Sequence, residues 1–326
     1  MPATQRPFRF GLQAYAADSA AQWKDLARAA EDLGYGCFSV ADHYFGPGPA
    51  MDAASHPAQN LAAIPAMTMA AAVTDRIMIG SRVMCIDYHQ PVVLAKSLAT
   101  IDVLSEGRLE AGLGAGWITS EYQAMGVPMD RAGVRIDRLI EYISLARAFF
   151  AGEDLAIEGE YVTAVDMAAT PAAVQDGGPK IMVGGGSPRV LRTAGALADI
   201  ISINFDNSAG KIGARGIGSG SPDGTAAKVS WIKDGAGDRF GDLELEIGAY
   251  FTAVTDAGAA VREQMGQAFG MSGEQLADYP HALVGSVDEI CETLQQRREM
   301  YGISYVTVGA SVMKEFAPVI DRLAGA

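Results

Sequence analysis

The sequence has little of three things: cysteine, positive charge and long apolar runs. Its 326 residues include three widely spaced cysteines, Cys37, Cys85 and Cys291, without a CxxC pair. Cysteines that are so few and so widely spaced exclude a disulfide scaffold and a cysteine-based zinc site, and they favour a reducing compartment. Lys and Arg number 25 against 39 Asp and Glu, so the net charge is −14. Phosphate backbones and anionic lipid repel an acidic chain, so we expect neither nucleic acid nor a membrane surface as a partner.

The most apolar stretch of the chain, residues 61–73, is interrupted by Pro65 and Thr68. A transmembrane helix needs about 20 apolar residues, so we expect no membrane span. The first residues, MPATQRPFRF, lack the apolar centre of a secretion signal. We therefore expect a cytoplasmic protein. Hydrophobic residues make up 49% and charged residues 20% of the chain, a composition that supports a large folded core.

Short β-type runs alternate with amphipathic helical runs along the chain. Eight runs are predicted as strands, at residues 8–15, 36–41, 77–86, 109–113, 180–183, 199–204, 245–254 and 304–309. Strict alternation predicts a parallel sheet, because parallel strands need crossover connections. Eight right-handed β/α units close into an α/β protein of the (β/α)8 TIM barrel class. The competing interpretation is a doubly wound sheet with a second domain.

No linker divides the sequence, so we predict one domain over residues 1–326. Two insertions are expected in it, at about 114–179 and about 207–241. The second insertion is rich in Gly and Ser and is predicted to be the least regular part of the chain. A late helix is predicted to begin at Ser286, because Glu289 three residues on completes a capping box.

The active site of such a barrel lies at the carboxyl ends of its strands. The strongest physical signal there is the run Gly184-Gly185-Gly186-Ser187, which follows the fifth strand and leads through a proline into a helix. Glycines allow close approach of the backbone, and the first N–H groups of a helix favour an anion such as a phosphate. The alternative is a flexible turn in which Ser187 is a plain helix cap.

A second glycine run, Gly112-x-Gly114-x-Gly116, follows the fourth strand. It is not the dinucleotide fingerprint GxGxxG, because Trp117 and Thr119 occupy the positions where the last glycine would be needed. The run could border a flat ring, or it could be a tight exit from the strand.

Asp42 and His43 follow the second strand. A histidine at a strand end suits proton transfer near neutral pH, and the alternative is a hydrogen-bonded structural histidine. His56, His89 and His281 share no metal-ligand spacing with cysteine or carboxylate, so we expect no metal, and we interpret His89 as a structural loop residue.

Glu121 and Arg131 flank the excursion after the fourth strand. We expect them to form a structural ion pair or to cap a helix.

The run from Ser97 to Trp117, SLATIDVLSEGRLEAGLGAGW, closely resembles the hallmark of the bacterial luciferase-like superfamily. Glu121-Tyr122 with Gly126 and Arg131 continues the resemblance. Further matching segments are Asp42-His43, residues 79–83 and residues 183–187. The resemblance implies a luciferase-like (β/α)8 barrel that binds either FMN or the deazaflavin coenzyme F420. The pairing of Asp42-His43 with the triple glycine is more similar to the deazaflavin-dependent branch.

The resemblance also implies roles for residues. Asp42 would contact the deazaflavin, and His43 would face the substrate and exchange a proton with it. A non-prolyl cis peptide at or next to Arg82–Val83 would support the ring. The implied cofactor-binding set is Asp42, Ser81, Arg82, Val83, Gly114, Gly116, Gly184, Gly185, Gly186 and Ser187. The implied substrate pocket is Tyr15, Trp117 and Asn204, and the resemblance suggests a homodimer.

Two positions depart from the pattern of the deazaflavin-dependent sugar-phosphate and alcohol dehydrogenases. Pro47 stands where they have tryptophan, and Trp117 stands where they have an acidic residue. Oxidation of glucose 6-phosphate or of simple secondary alcohols is therefore not the expected reaction. The leading hypothesis is an F420-dependent oxidoreductase that exchanges a hydride with a small organic substrate. The alternatives are an FMN-dependent monooxygenase that uses O2 and a barrel that binds a flavin without turnover.

Overall fold

The computed structural model describes residues 6–326. Residues 1–5 lie outside the described residues. They belong to the N-terminal segment in which the sequence predicts no secretion signal. The strands are β1 Arg9–Ala14, β2 Cys37–Val40, β3 Met78–Ser81, β4 Met84–Cys85, β5 Leu109–Gly114, β6 Asp154–Glu158, β7 Thr163–Ala168, β8 Lys180–Gly185, β9 Ile200–Ile203, β10 Glu244–Ala249, β11 Phe251–Val254, β12 Ala282–Gly285 and β13 Ile303–Gly309. The helices are α1 Ala20–Asp32, α2 Pro49–Ala54, α3 Ala63–Ala71, α4 Pro91–Leu104, α5 Thr119–Met125, α6 Ala132–Phe150, α7 Pro188–Leu197, α8 Ala214–Gly218, α9 Pro222–Ala236, α10 Gly258–Ala268, α11 Gly273–Asp278, α12 Val287–Tyr301 and α13 Met313–Leu323.

Eight parallel strand positions close into a barrel, as the alternation predicts. The hydrogen-bonded order is β3-β2-β1-β13-β10-β9-β8-β5, and β5 pairs back with β3 and β4. Ile79 of β3 is in register with Leu109 of β5, which closes the ring. Strands β2, β5, β9 and β10 are buried along their whole length because helices cover the outside of the barrel. The predicted TIM barrel is confirmed.

The third barrel strand is interrupted, whereas the sequence predicts one run over residues 77–86. The peptide bond between Arg82 and Val83 is cis, and it separates β3 from β4. This is the position that the resemblance implies. Arg82 and Val83 both border the cleft described below.

The Gly- and Ser-rich segment 207–241 is more regular than predicted. It contains α8 and the 15-residue α9, which begins with Ser221 as its cap and Pro222 in its first turn. The expectation of irregularity is wrong because the glycines of this segment allow helix packing. A Cβ on Gly235 would lie 2.0 Å from the carbonyl oxygen of Arg192 in α7, so α9 can approach α7 only with glycine there.

The predicted seventh strand, residues 245–254, is two strands. It breaks at Tyr250, where the hydroxyl of Thr252 donates a hydrogen bond to the carbonyl of Ala249. Beyond the break β11 leaves the barrel and pairs with β12, a strand that the sequence does not predict. Four residues of β12 are too short a run to show a period-2 pattern.

The excursion after β5 lies beside the mouth of the barrel. It consists of α5, α6 and the antiparallel hairpin β6–β7. Late in the chain the predicted capping box is present, since Ser286 and Glu289 bond reciprocally at the start of α12. Across residues 6–326, none of the helices combines the length and apolarity that crossing a lipid bilayer would require.

Candidate active site

A cleft of about 1090 Å³, measured with its open mouth, lies at the carboxyl ends of the barrel strands. Most of the residues that the sequence singles out line this cleft. These are Asp42, His43, Arg82, Val83, Gly114, Gly116, Trp117, Gly184, Gly185, Gly186, Ser187 and Asn204. The strands that end here are β2, β3, β5, β8 and β9, so residues far apart in sequence meet at one face.

Ser81 and Tyr15 do not line the cleft. The Ser81 hydroxyl donates to the carbonyl of Gly112 and accepts from its N–H, both at 2.9 Å, so this side chain ties β3 to β5. The ring of Tyr15 lies 6.0 Å from that of His56, at the edge of the barrel mouth, and burial raises its pKa. The structure therefore gives Ser81 a structural contact, and Tyr15 lies near His56 but is not among the residues that line the cleft.

Asp42 is buried at the cleft, with 1% of its surface exposed. Its Oδ2 accepts hydrogen bonds from the backbone N–H of Cys85 at 3.0 Å and from Nε2 of His89 at 2.7 Å. Its other oxygen, Oδ1, has no partner among the described residues. A buried carboxylate oxygen without a donor is costly unless a ligand supplies one. His89 is thus more than a loop residue, because it orients Asp42.

Glu121 is fully buried and contacts His43, with 2.8 Å between its Oε2 and Nδ1 of the imidazole. Oε2 also accepts from the Tyr88 hydroxyl at 3.1 Å, and Oε1 accepts from the N–H of Tyr44 at 2.6 Å. Glu121 has the geometry of the expected ion pair, with His43 as its partner. Arg131 precedes the first residue of α6, but its side chain makes no capping bond. The Glu121 carboxylate contacts three groups in all, and one of them is the candidate proton-transfer residue.

Aromatic rings surround the other sides of His43. The ring of His56 is 4.2 Å away, that of Phe45 is 5.7 Å away, and that of Trp117 is 6.3 Å away and perpendicular. His56 donates through Nδ1 to the carbonyl of Pro57, and burial lowers its pKa to about 4. The neighbour of His43 is therefore a neutral imidazole at physiological pH.

The cleft has two guanidinium groups, Arg82 and Arg135, and protein atoms satisfy both. Arg82 bonds Glu246 at 3.0 Å and Gln13 at 2.9 Å inside the barrel. Arg135, on α6, donates to the carbonyls of Ala115 and Gly116, and so fixes the chain that leaves β5. Arg135 could not be recognised from the sequence, since nothing in its spacing distinguishes it from a surface arginine.

The turn after β8 has the geometry of an anion site. Ser187 precedes the ten-residue α7 with Pro188 in the first turn, and no side chain caps the first N–H groups. Those groups remain available for an anion at the cleft. A Cβ on Gly186 would lie 2.1 Å from the carbonyl oxygen of Phe205, so the backbone can hold this position only with glycine. No cluster of potential metal ligands occurs among residues 6–326.

The family model described as luciferase-like monooxygenase matches residues 5–217 of the chain. An uncharacterised protein of Mycobacterium tuberculosis is 32% identical over 202 residues, which are 58% of this chain and 70% of that protein. The F420-dependent glucose-6-phosphate dehydrogenase of Nakamurella multipartita is 31% identical over 204 residues, which are 60% of this chain and 56% of the enzyme. This chain therefore spans little more than half the length of that dehydrogenase.

Among solved structures, the coenzyme F420-dependent tetrahydromethanopterin reductase from Methanopyrus kandleri superposes with a TM-score of 0.74. The superposition covers 98% of both chains at 18% sequence identity. At that identity the likeness demonstrates a shared fold, and it extends over the barrel, the excursion after β5 and the C-terminal helices.

Proposed function

This chain belongs to the luciferase-like monooxygenase family of oxidoreductases, and we propose that it uses the deazaflavin coenzyme F420 to exchange a hydride with a small organic substrate. One observation carries the proposal. A buried carboxylate with a free oxygen, an imidazole held by a second carboxylate, and an uncapped helix N-terminus face the same cleft. Relatives named as F420-dependent enzymes support the choice of cofactor.

The residues present fit the cofactor. Asp42 Oδ1 would accept a hydrogen bond from a ring N–H, and the turn Gly184–Ser187 would bind a phosphate through backbone N–H groups. Val83, Gly114 and Gly116 would border the ring. A bound deazaflavin supplies a ring carbon that accepts or releases a hydride. The protein supplies binding, orientation and a proton.

His43 is the group that we assign to the proton. Glu121 accepts only, so Nδ1 of His43 carries its hydrogen toward Glu121, and Nε2 is left with a lone pair. That nitrogen takes the hydroxyl proton when the substrate is oxidised and returns a proton when it is reduced. Glu121 acts through His43, because its carboxylate fixes the tautomer and stabilises the imidazolium.

Titration of the purified protein with F420 and with FMN, followed by fluorescence, tests the cofactor. We expect F420 to bind more tightly than FMN. Tight FMN binding with weak F420 binding would instead favour a monooxygenase that uses reduced flavin and O2. Binding of F420 without redox change across a broad substrate panel would favour a non-catalytic binding barrel.

The His43→Ala variant tests the proton assignment. We expect it to retain F420 affinity and to lose turnover by roughly 100-fold or more, the usual contribution of a positioned acid or base. Unchanged turnover would remove His43 from the mechanism.

We also propose that the protein acts as a cytoplasmic homodimer. The three buried and unpaired cysteines suit a reducing compartment, and the family resemblance supports the dimer. Sedimentation equilibrium would test the oligomeric state.

A further inference from the structure

The charge of the cleft wall restricts what can bind beside His43. Its two cations are already used, Arg82 by Glu246 and Gln13, and Arg135 by backbone carbonyls. Three carboxylates line the same cleft. Asp42 and Glu121 contact His89 and His43, and Asp206 lies 3.8 Å from Arg215, so the carboxylate nearest to His43 is that of Glu121. A ligand anion next to His43 would therefore meet negative charge without an unpaired cation to offset it.

The neighbouring imidazole does not supply the missing cation. His56 lies 4.2 Å from His43, and its pKa of about 4 keeps it neutral at physiological pH. The remaining positive feature of the cleft is the helix N-terminus at Ser187, which the proposed function assigns to the cofactor phosphate.

The wall beside His43 is apolar at Trp117. Trp117 is half-buried at the cleft and packs against a cluster formed by Phe45, Ala54 and Ile118. The indole also lines the cleft, where its ring lies 6.3 Å from that of His43. A planar apolar group gains contact area and aromatic stacking against an indole ring.

From this wall we infer that the substrate is an uncharged molecule with a hydroxyl or carbonyl carbon next to a planar apolar group, an aryl carbinol or aryl ketone. The inference rests on the proposed function for its redox step. In the oxidising direction the carbinol C–H bond breaks and its hydride passes to the oxidised cofactor, while the hydroxyl proton passes to Nε2 of His43. The product is the ketone, and reduction reverses both transfers.

Binding of a matched ligand pair tests the inference without the natural substrate. 4-Fluoroacetophenone and 4-fluorobenzoate are nearly isosteric, but the methyl group of the first is a charged oxygen in the second. We expect the F420-loaded protein to bind the ketone at least roughly tenfold more tightly than the carboxylate by fluorine NMR titration. Equal affinity, or tighter binding of the carboxylate, would overturn the inference.

Trp117 variants locate the binding on this wall. Trp117→Ala should weaken binding of the ketone about tenfold, whereas Trp117→Phe, which keeps a planar ring, should retain most of the affinity. Trp231→Phe on the outer helix α9 is the matched control and should leave the affinity unchanged. Ketone binding that is insensitive to Trp117→Ala would contradict the assignment.

The two proposals can fail separately. F420 uptake is measured first by fluorescence, without an aromatic ligand, and its absence would contradict the proposed function. The ligand pair is then measured on the F420-loaded protein, in which the cofactor phosphate occupies the turn at Ser187 and the wall must prefer the ketone. Retained F420 binding with a preference for the carboxylate would contradict only the substrate class.

Discussion

Glu121 and His43 are 78 residues apart in sequence and 2.8 Å apart in space. The pairing joins the loop after β2 to α5, and it gives the imidazole a fixed orientation at the cleft. When a carboxylate accepts the hydrogen bond of one ring nitrogen, the other nitrogen carries the lone pair and is the reactive one. The position of the hydrogen on the His43 ring should therefore depend on Glu121, and this position can be measured.

Nitrogen NMR of the four histidines tests this relationship. At a pH where all four are neutral, His43, His56 and His281 should carry hydrogen on Nδ1, because each points that atom at Glu121 or a backbone carbonyl. His89 should carry it on Nε2, toward Asp42. Glu121→Gln should abolish the preference of His43 for hydrogen on Nδ1. The control is Tyr88→Phe, which removes another donor to Glu121 and should preserve the tautomer; a Glu121→Gln spectrum like the wild type would contradict the pairing.

Asp42→Asn should weaken F420 binding about 10- to 100-fold, because a charged acceptor for a ring N–H is replaced by a neutral amide. Isothermal titration measures the change. Asp102→Asn is the matched control, since Asp102 is equally buried but accepts its hydrogen bonds from Val174 and Gln175, outside the cleft. Equal losses in the two variants would indicate a general structural effect rather than a contact.

Gly235→Ala should destabilise the fold by about 1–3 kcal/mol, because the new methyl would press on the carbonyl of Arg192 and force α9 from α7. Urea unfolding measures the loss. Gly241→Ala has open space around it and should cost much less. Similar midpoints for both variants would mean that α9 does not pack as described.

Stability should fall as the pH drops below about 6.5, in part because of His281. Burial lowers the pKa of this histidine to about 3 in the folded protein, while the unfolded chain has the ordinary value near 6.5. Between these values the unfolded state binds the extra proton, so acidification favours unfolding by about 1.4 kcal/mol per pH unit. Between pH 7 and 5, His281→Gln should lose less of its free energy of unfolding than the wild type; parallel pH profiles would contradict this.

The barrel was accessible to sequence reasoning because its signals are local and repeated. Ser286 caps α12 as predicted, and each of the eight predicted strands corresponds to a barrel strand. The failures have physical causes. In α9 the glycines serve packing against α7, so a composition typical of loops hides a helix. The split after Ala249 depends on pairing with β12, a contact between distant segments.

The site was predicted in part for the same reason. Asp42, His43 and the turn Gly184–Ser187 stand at strand ends, and their positions follow from the fold. The contacts of Glu121 with His43 and of His89 with Asp42 cannot be predicted, because the partners lie in other segments and no spacing in the sequence connects them. Contacts of this kind become visible only when the barrel is closed.

A crystal structure of the protein grown with F420 would show whether the cleft binds the cofactor beside His43. We expect electron density for a deazaflavin ring in the cleft, with a ring N–H at Oδ1 of Asp42, the phosphate at the backbone of Gly184–Ser187, and Nε2 of His43 facing the open side. Density for the cofactor elsewhere on the molecule, or a cleft that remains without it at saturating F420, would contradict the account.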